Sequence, residues 1–335
     1  MKNILKVFCL LIFFVHFSYP QVDLNKTAQS TMNFLLVGTS PKASAMGEAY
    51  TAAGSGSESI FYNPAGIARS SGTFDININY ARWIADINYL SGGATWNMNN
   101  MGVIGIHLLT VDYGTINGTS LIYESEKDLY PLGYKDNGTV SNVGAYSVGL
   151  TYAKSISQEF SIGVTAKIAG QNLGQNLMEN GMKDNNAAKL VFDAGIHYLT
   201  SYNDFRFGMS IRNFSSNLKR EEIDEQLPLV FSLGAAIDLM KVIDAELAQD
   251  NPVTLAVDFL HQNNYSERVN LGIEYKMLNM ISLRGGYQTN RDLASWSGGV
   301  GFNTSFNDYD IEVNYSYSQM EIFDDVSRIS IIFTF

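Results

Sequence analysis

The stretch YDIEVNYSYS (309–318) decides the fold. Tyr309, Ile311, Val313, Tyr315 and Tyr317 share one side of an extended chain; Asp310, Glu312, Asn314, Ser316 and Ser318 share the other. A two-residue period marks a strand whose faces meet different surroundings. The final segment SRISIIFTF (327–335) repeats it with Ile329, Ile331, Phe333 and Phe335, and NLGIEYKM (270–277), SLRGGYQ (282–288) and SWSGGVGFNT (295–304) do the same.

Working outward from these, about fourteen such segments cover the chain from residue 74. They lie near 74–83, 86–96, 101–112, 143–154, 159–170, 189–200, 204–213, 229–239, 252–261, 267–277, 280–289, 295–305, 308–318 and 327–335. Strands of soluble proteins peak near five or six residues, whereas a tilted membrane strand needs about nine to eleven. The lengths favour a membrane. Links alternate in the same sense. NMNN (97–100), SISQ (155–158), SYN (201–203) and LN (278–279) are short, while DYGTINGTSLIYESEKDLYPLGYKDNGTVSN (112–142), NLGQNLMENGMKDNN (172–186) and SSNLKREEIDEQLP (215–228) are long. Short turns on one rim and long loops on the other describe a bacterial outer-membrane barrel with both termini periplasmic. Two links break the trend: a tight first hairpin near Ile84–Ala85, and MKVIDAELAQDN (240–251) on the short side.

Composition agrees. Charged residues make up 16% of the 335, against roughly 25% in soluble domains, while aromatics reach 12% and glycines number 29. A soluble sandwich would have to cover the apolar face with a second sheet and turn the other to bulk water. That other face is instead rich in Gly and Ser, with scattered charges of both signs: Lys167, Arg206, Glu274, Arg284, Glu312 and Arg328. They suit a confined lumen. Trp83, Trp96 and Trp296, near strand ends or on apolar faces, suit an interfacial girdle. The expected fold is an all-β, fourteen-stranded antiparallel transmembrane barrel.

Lys2 and Lys6 followed by the apolar run from Val7 to Phe17 read as an export signal, expected to be cut near residue 20. The only cysteine, Cys9, goes with it, so disulfides and thiol chemistry are not expected. Loss of the two lysines takes the net charge from −11 to −13. Nucleic acid, whose phosphates require basic partners, is not an expected partner.

Between signal and first strand lies a segment of different character, including SAMGEAYTAAGSGSESIFYNPAGIA (44–68). Fourteen strands enclose more space than their own side chains fill. Small residues that pack closely, the apolar set Met46, Tyr50, Ile60, Phe61 and Tyr62, and a bend at Asn63-Pro64 fit a plug inside the barrel. The expected division is a signal at 1–20, a plug or hatch at 21–70 and a barrel at 71–335.

The stretch NFLLVGTSPKASAMGEAYTAAGSGSESIFYNPAGIA (33–68) resembles the N-terminal signature of the PorV/PorQ outer-membrane family at Phe34, Leu35, Gly38, Ala43, Met46, Gly47, Ala49, Ala52, Tyr62, Asn63, Pro64, Ala65 and Gly66. It departs at Pro41-Lys42, Ser44 and 54–58. A similar YNPAG phrase occurs in the hatch of the FadL fatty-acid transporters, which share the fourteen-stranded barrel. The PorV/PorQ resemblance implies type IX secretion, with the translocon, the sortase complex and cargo C-terminal domains as partners besides outer-membrane lipid and lipopolysaccharide. The alternative is a FadL-like transporter of hydrophobic small molecules. Neither implies catalysis, a cofactor or a metal. His107, His197 and His261 fall on different strands without ligand spacing, and GGVGF (298–302) lies mid-strand without the helix that a phosphate cradle needs.

Overall fold

The structure, a computed structural model, describes residues 30–140, 143–178, 181–220, 223–290, 296–307 and 309–335; the expected signal lies outside them. Fourteen antiparallel strands close on themselves. They are β1 (Phe74–Arg82), β2 (Asn88–Asn97), β3 (Val103–Asp112), β4 (Val143–Ser155), β5 (Phe160–Met178), β6 (Gly181–Leu199) and β7 (Arg206–Phe214). The second half comprises β8 (Val230–Asp238), β9 (Val253–Gln262), β10 (Tyr265–Met277), β11 (Ile281–Gln288), β12 (Trp296–Phe306), β13 (Tyr309–Ser318) and β14 (Val326–Thr334). The ring closes where β1 pairs with β14, from Asp75 opposite Thr334 to Arg82 opposite Ser327. Among the described residues the barrel wall has no open edge, so its strands satisfy their backbone through their neighbours, as hydrocarbon demands.

Period two sets the wall. On β4, Tyr146, Val148, Leu150 and Tyr152 point outward while Ala145, Ser147, Thr151 and Ala153 are buried. On β13, Val313, Tyr315 and Tyr317 point out, and Asn314 and Ser316 point in. The exposed apolar side chains of successive strands form the band that lipid covers. At the short-turn rim Phe74 stacks on Trp96 (6.0 Å between centroids) and on Phe335 (5.3 Å), while Tyr287 meets Trp296 at 4.7 Å near the long-loop end of its strand. Trp83 departs from the expected girdle: it is half-buried, beneath the Arg328 guanidinium at 5.4 Å and against Tyr89.

One link differs from expectation, and the two that break the trend have local causes. The run 172–186 is not a loop; β5 and β6 stay paired out to Met178 opposite Gly181, past a register shift after Asn172. The first hairpin is tight because Ala85 and Asp86 both take positive φ, 55° and 58°. The segment 240–251 is filled by two short helices, Leu239–Ile243 and Leu247–Asp250, the first capped by the Asp238 side chain on the Met240 amide at 2.9 Å.

Residues 30–70 run through the barrel. Thr31 donates to the Gln226 carbonyl (2.9 Å) and Asn264 to the Ser30 hydroxyl (2.6 Å), both on the long-loop rim. At the opposite rim Arg69 donates to the Gln158 and Glu159 carbonyls at 2.7 and 2.5 Å, and Phe74 then starts β1 beside Phe335. The chain therefore enters at the loop side and descends to the turn side. On the way it forms α1 (Pro41–Ala45) and single turns of 3-10 helix at Asn33–Leu36, Ser57–Phe61 and Pro64–Arg69.

Candidate functional site

The lumen is the site, and the descending segment occupies it. Met46, Ala49, Tyr62 and Ala65 are buried between segment and wall. Asn63 does most at the bend. Its Nδ2 donates to the Thr51 carbonyl (2.8 Å) and to the Ile196 carbonyl of β6 (2.9 Å), while its Oδ1 caps the next turn by accepting from Ala65 N (3.1 Å). Pro64 follows at the first position of that turn, where a missing N–H costs nothing. Tyr62 meets Tyr50 edge-on at 5.3 Å and lies under Arg212 at 5.7 Å.

The wall answers with glycine. A Cβ on Gly272 would stand 2.5 Å from the Met46 carbonyl oxygen, and one on Gly299 2.6 Å from the Ala45 Cβ. Gly163, Gly195, Gly208 and Gly286 abut Pro64, Asn63, Thr51 and Gly47 in the same way. Within the segment, a Cβ on Gly66 would stand 2.7 Å from the Ser59 Cβ, so this glycine closes one turn upon another. Within the run at 298–302, Gly299 thus has a steric reason. Sequence reading assigned close packing to the segment and missed that the wall provides half of it; the signal was glycine at inward positions of consecutive strands.

Charges fasten what sterics admit. Lys42 Nζ lies 3.5 Å from Glu58 and 3.0 Å from Glu312 on β13; Arg284 on β11 reaches Glu274 at 2.7 Å, Glu312 at 3.2 Å and Asn314 at 2.7 Å. Two cations and three carboxylates thus join segment to wall. Burial raises the Glu58 carboxyl above its ordinary range, against the pull of Lys42. Burial also opposes the Lys42 charge, but Glu312 and Glu58 outweigh it and hold the ammonium well above its usual range. Arg328 donates to the Gly38 carbonyl at 2.9 Å and to Ser318 at 3.0 Å. Lys167, by contrast, is tied within the wall, to Asp193 (2.6 and 2.9 Å) and Asn213 (2.9 Å).

Two anchors escaped sequence reading. Asp258 on β9 accepts from the amides of Tyr50 (3.0 Å) and Thr51 (2.8 Å), and Asp75 on β1 accepts from the Ser57 amide (3.3 Å) and hydroxyl. Lys42, noted only as a departure from a signature, and Glu58 belong with them. The histidines stay apart: His197 meets the Ala52 carbonyl (3.0 Å), His261 meets Glu267 (3.3 Å), and His107 lies against the Phe61 ring at 5.3 Å.

Segment and wall leave between them a cavity of about 70 Å³, bounded by residues 35–39 and Phe61 of the segment and by His107, Ser147, Arg212 and Asn270 of the wall.

No protein-family model matches the sequence, and no curated protein matches it. Solved structures do match its architecture. The toluene transporter TbuX of Ralstonia pickettii superposes with a TM-score of 0.56 at 13% identity, over 90% of this chain and 98% of that one. The toluene transporter TodX of Pseudomonas putida gives 0.52 at 11% identity, over 88% and 97%. The chain is an outer-membrane barrel of FadL-like topology. This corrects the PorV/PorQ resemblance: the solved barrels on which the chain superposes are the toluene transporters TbuX and TodX, and the type IX translocon, sortase complex and cargo C-terminal domains expected as partners have no support there. The shared YNPAG phrase followed the packing of a segment in a barrel, as its contacts here explain, and the secretion reading fell with the resemblance that carried it.

Proposed function

We propose that this chain is a plugged outer-membrane transporter of small, largely apolar molecules, with residues 21–70 as the hatch and 71–335 as the pore wall. One observation carries the reading: the segment crosses the whole lumen from Ser30 to Arg69 and packs against the wall along its length, with a central cavity of about 70 Å³ beside it, so the straight path through the barrel is occupied while it stays in place. Transport then requires the hatch to shift. Its attachments suit that demand, being discrete hydrogen bonds, ion pairs and glycine contacts and not covalent links. The likeness of fold to two toluene transporters supports the substrate class.

The test is uptake. Cells producing the chain and cells with an empty vector are given radiolabelled toluene or, separately, radiolabelled phenol at limiting concentration, and either one taken up faster supports the reading. Faster, saturable initial uptake by the producing cells is expected; equal rates for both compounds would overturn the transporter reading.

A further inference from the structure

Polar side chains that nothing in the transport reading uses surround the lumenal cavity. On its wall, these five buried atoms have no hydrogen-bond partner among the described residues: His107 Nδ1 on β3, Ser147 Oγ on β4, Arg212 Nε on β7, Gln262 Oε1 on β9 and Asn270 Oδ1 on β10. Four of these residues are more than nine-tenths buried, with exposures of 6%, 1%, 6% and 2% for His107, Ser147, Gln262 and Asn270. Buried polar groups in folded proteins are almost always paired, and each one left bare costs about 1–3 kcal/mol. Five around one cavity, from five different strands, define the chemistry of what fills it.

We infer that the cavity is a binding site for a hydroxyl-bearing small molecule, and that the transported substrate carries such a group on its apolar body. This rests on the transport reading above and narrows it. The lining decides the class. Arg212 Nε–H is a donor only, the Gln262 and Asn270 oxygens are acceptors only, and the Ser147 hydroxyl can act either way. A hydrocarbon satisfies none of them. A carboxylate accepts but cannot donate to Gln262 or Asn270. Arg212 can meet its charge, but both amide oxygens stay bare against it, and Lys167 adds nothing, its three N–H groups being already directed to both oxygens of Asp193 and to Asn213. A hydroxyl accepts and donates at once. The apolar body has partners too, in Leu35, Val37, Ile60, Phe61 and Leu109. At about 10–15 Å³ per water on the same measure, the cavity holds roughly five to seven waters, or a guest with about as many heavy atoms.

Phenol and toluene make the experiment, because they have the same number of heavy atoms and exchange a hydroxyl for a methyl. The purified full chain in detergent is equilibrated with each radiolabelled compound, and protein-free micelles give the blank. Saturable phenol binding at one site per chain, at least about tenfold tighter than toluene, is the expected result, since a site built to hydrogen-bond a hydroxyl rejects the analogue that lacks it. Ser147→Ala and, separately, Asn270→Leu should each weaken phenol severalfold while leaving toluene unmoved; heat-modifiable gel migration reports whether each variant is folded. The comparison of the two compounds on the unaltered chain stands even if a variant is not. Toluene bound as tightly as phenol would overturn the hydroxyl assignment and leave the transporter reading intact. Neither compound bound above the blank would mean the cavity takes water alone, which also overturns it, while transport is still judged by uptake of the two compounds.

Discussion

Gly47 of the segment and Gly286 of the wall meet backbone to backbone, and neither has room for a side chain. A Cβ on Gly286 would overlap the Gly47 amide nitrogen, and one on Gly47 would stand 2.8 Å from both the Tyr287 nitrogen and the Leu271 carbonyl oxygen. Gly47 also has φ at +62°, where any other residue is strained. Gly286→Val therefore forces hatch and wall apart. Overpacking of this kind costs about 1–3 kcal/mol. A lower unfolding temperature and a larger single-channel conductance in planar bilayers are expected. Wild-type values for both would show that residues near 47 do not seal against β11.

Asn63 makes the bend and also fastens it, so Asn63→Ala is the cleaner chemical test. Truncation leaves the Ile196 and Thr51 carbonyls and the Ala65 amide without their partner while adding no bulk. A buried polar group stripped of its partner costs about 1–3 kcal/mol. The loosened hatch should admit vancomycin, and intact cells producing the variant should become more sensitive to it than wild-type cells do. Equal sensitivity, with the variant present in the outer membrane at wild-type level, would refute the fastening role.

The strands were legible because a membrane wall writes its solvent boundary into every second residue. Val313 out and Asn314 in follow from alternation alone, whatever their neighbours. The lumenal contacts were not legible in the same way. Lys42 and Glu312 are 270 positions apart, and periodicity places Glu312 on the inner face without saying what it meets there. Asp258 and Asp75 likewise sat on the polar faces of their strands, yet only the threading of the hatch brings amides to them. The extended β5–β6 hairpin was hidden for another reason. Beyond the membrane both of its faces meet water, so NLGQNLMENGMKDNN carries no two-residue pattern.

The Glu58 carboxyl gives the hatch a pH signature. Burial raises it above its ordinary value of 4.5, so in the window just above 4.5 the folded state holds a proton that the unfolded chain has released. Stability from this group is then greatest below that value and is lost as pH rises through the raised one. Glu58→Gln cannot titrate. The stability of wild type relative to this variant should fall with rising pH across the window and then level off, as read by thermal unfolding at a series of pH values. Lys42 stays charged throughout and adds no slope there. A difference that grew with pH would mean that Lys42 dominates and the carboxyl is depressed instead.

Adjacent residues of β4 offer the sharpest test of the wall. Leu150 is 63% exposed on the lipid side, and Thr151 is 2% exposed, its hydroxyl 2.8 Å from that of Thr165 on β5. Cys9 is the sole cysteine of the sequence, so a Cys9→Ala background gives single-site labelling. A maleimide that partitions into the bilayer should modify Leu150→Cys readily and Thr151→Cys at least about tenfold more slowly. The two sites share one strand, one depth and one local backbone, so burial of the barrel as a whole cannot produce the difference; only the face can. A slip of one residue in pairing exchanges the two faces. Preferential labelling at position 151 would therefore displace β4, and with it the inward placement of Ser147 on which the lumenal site depends.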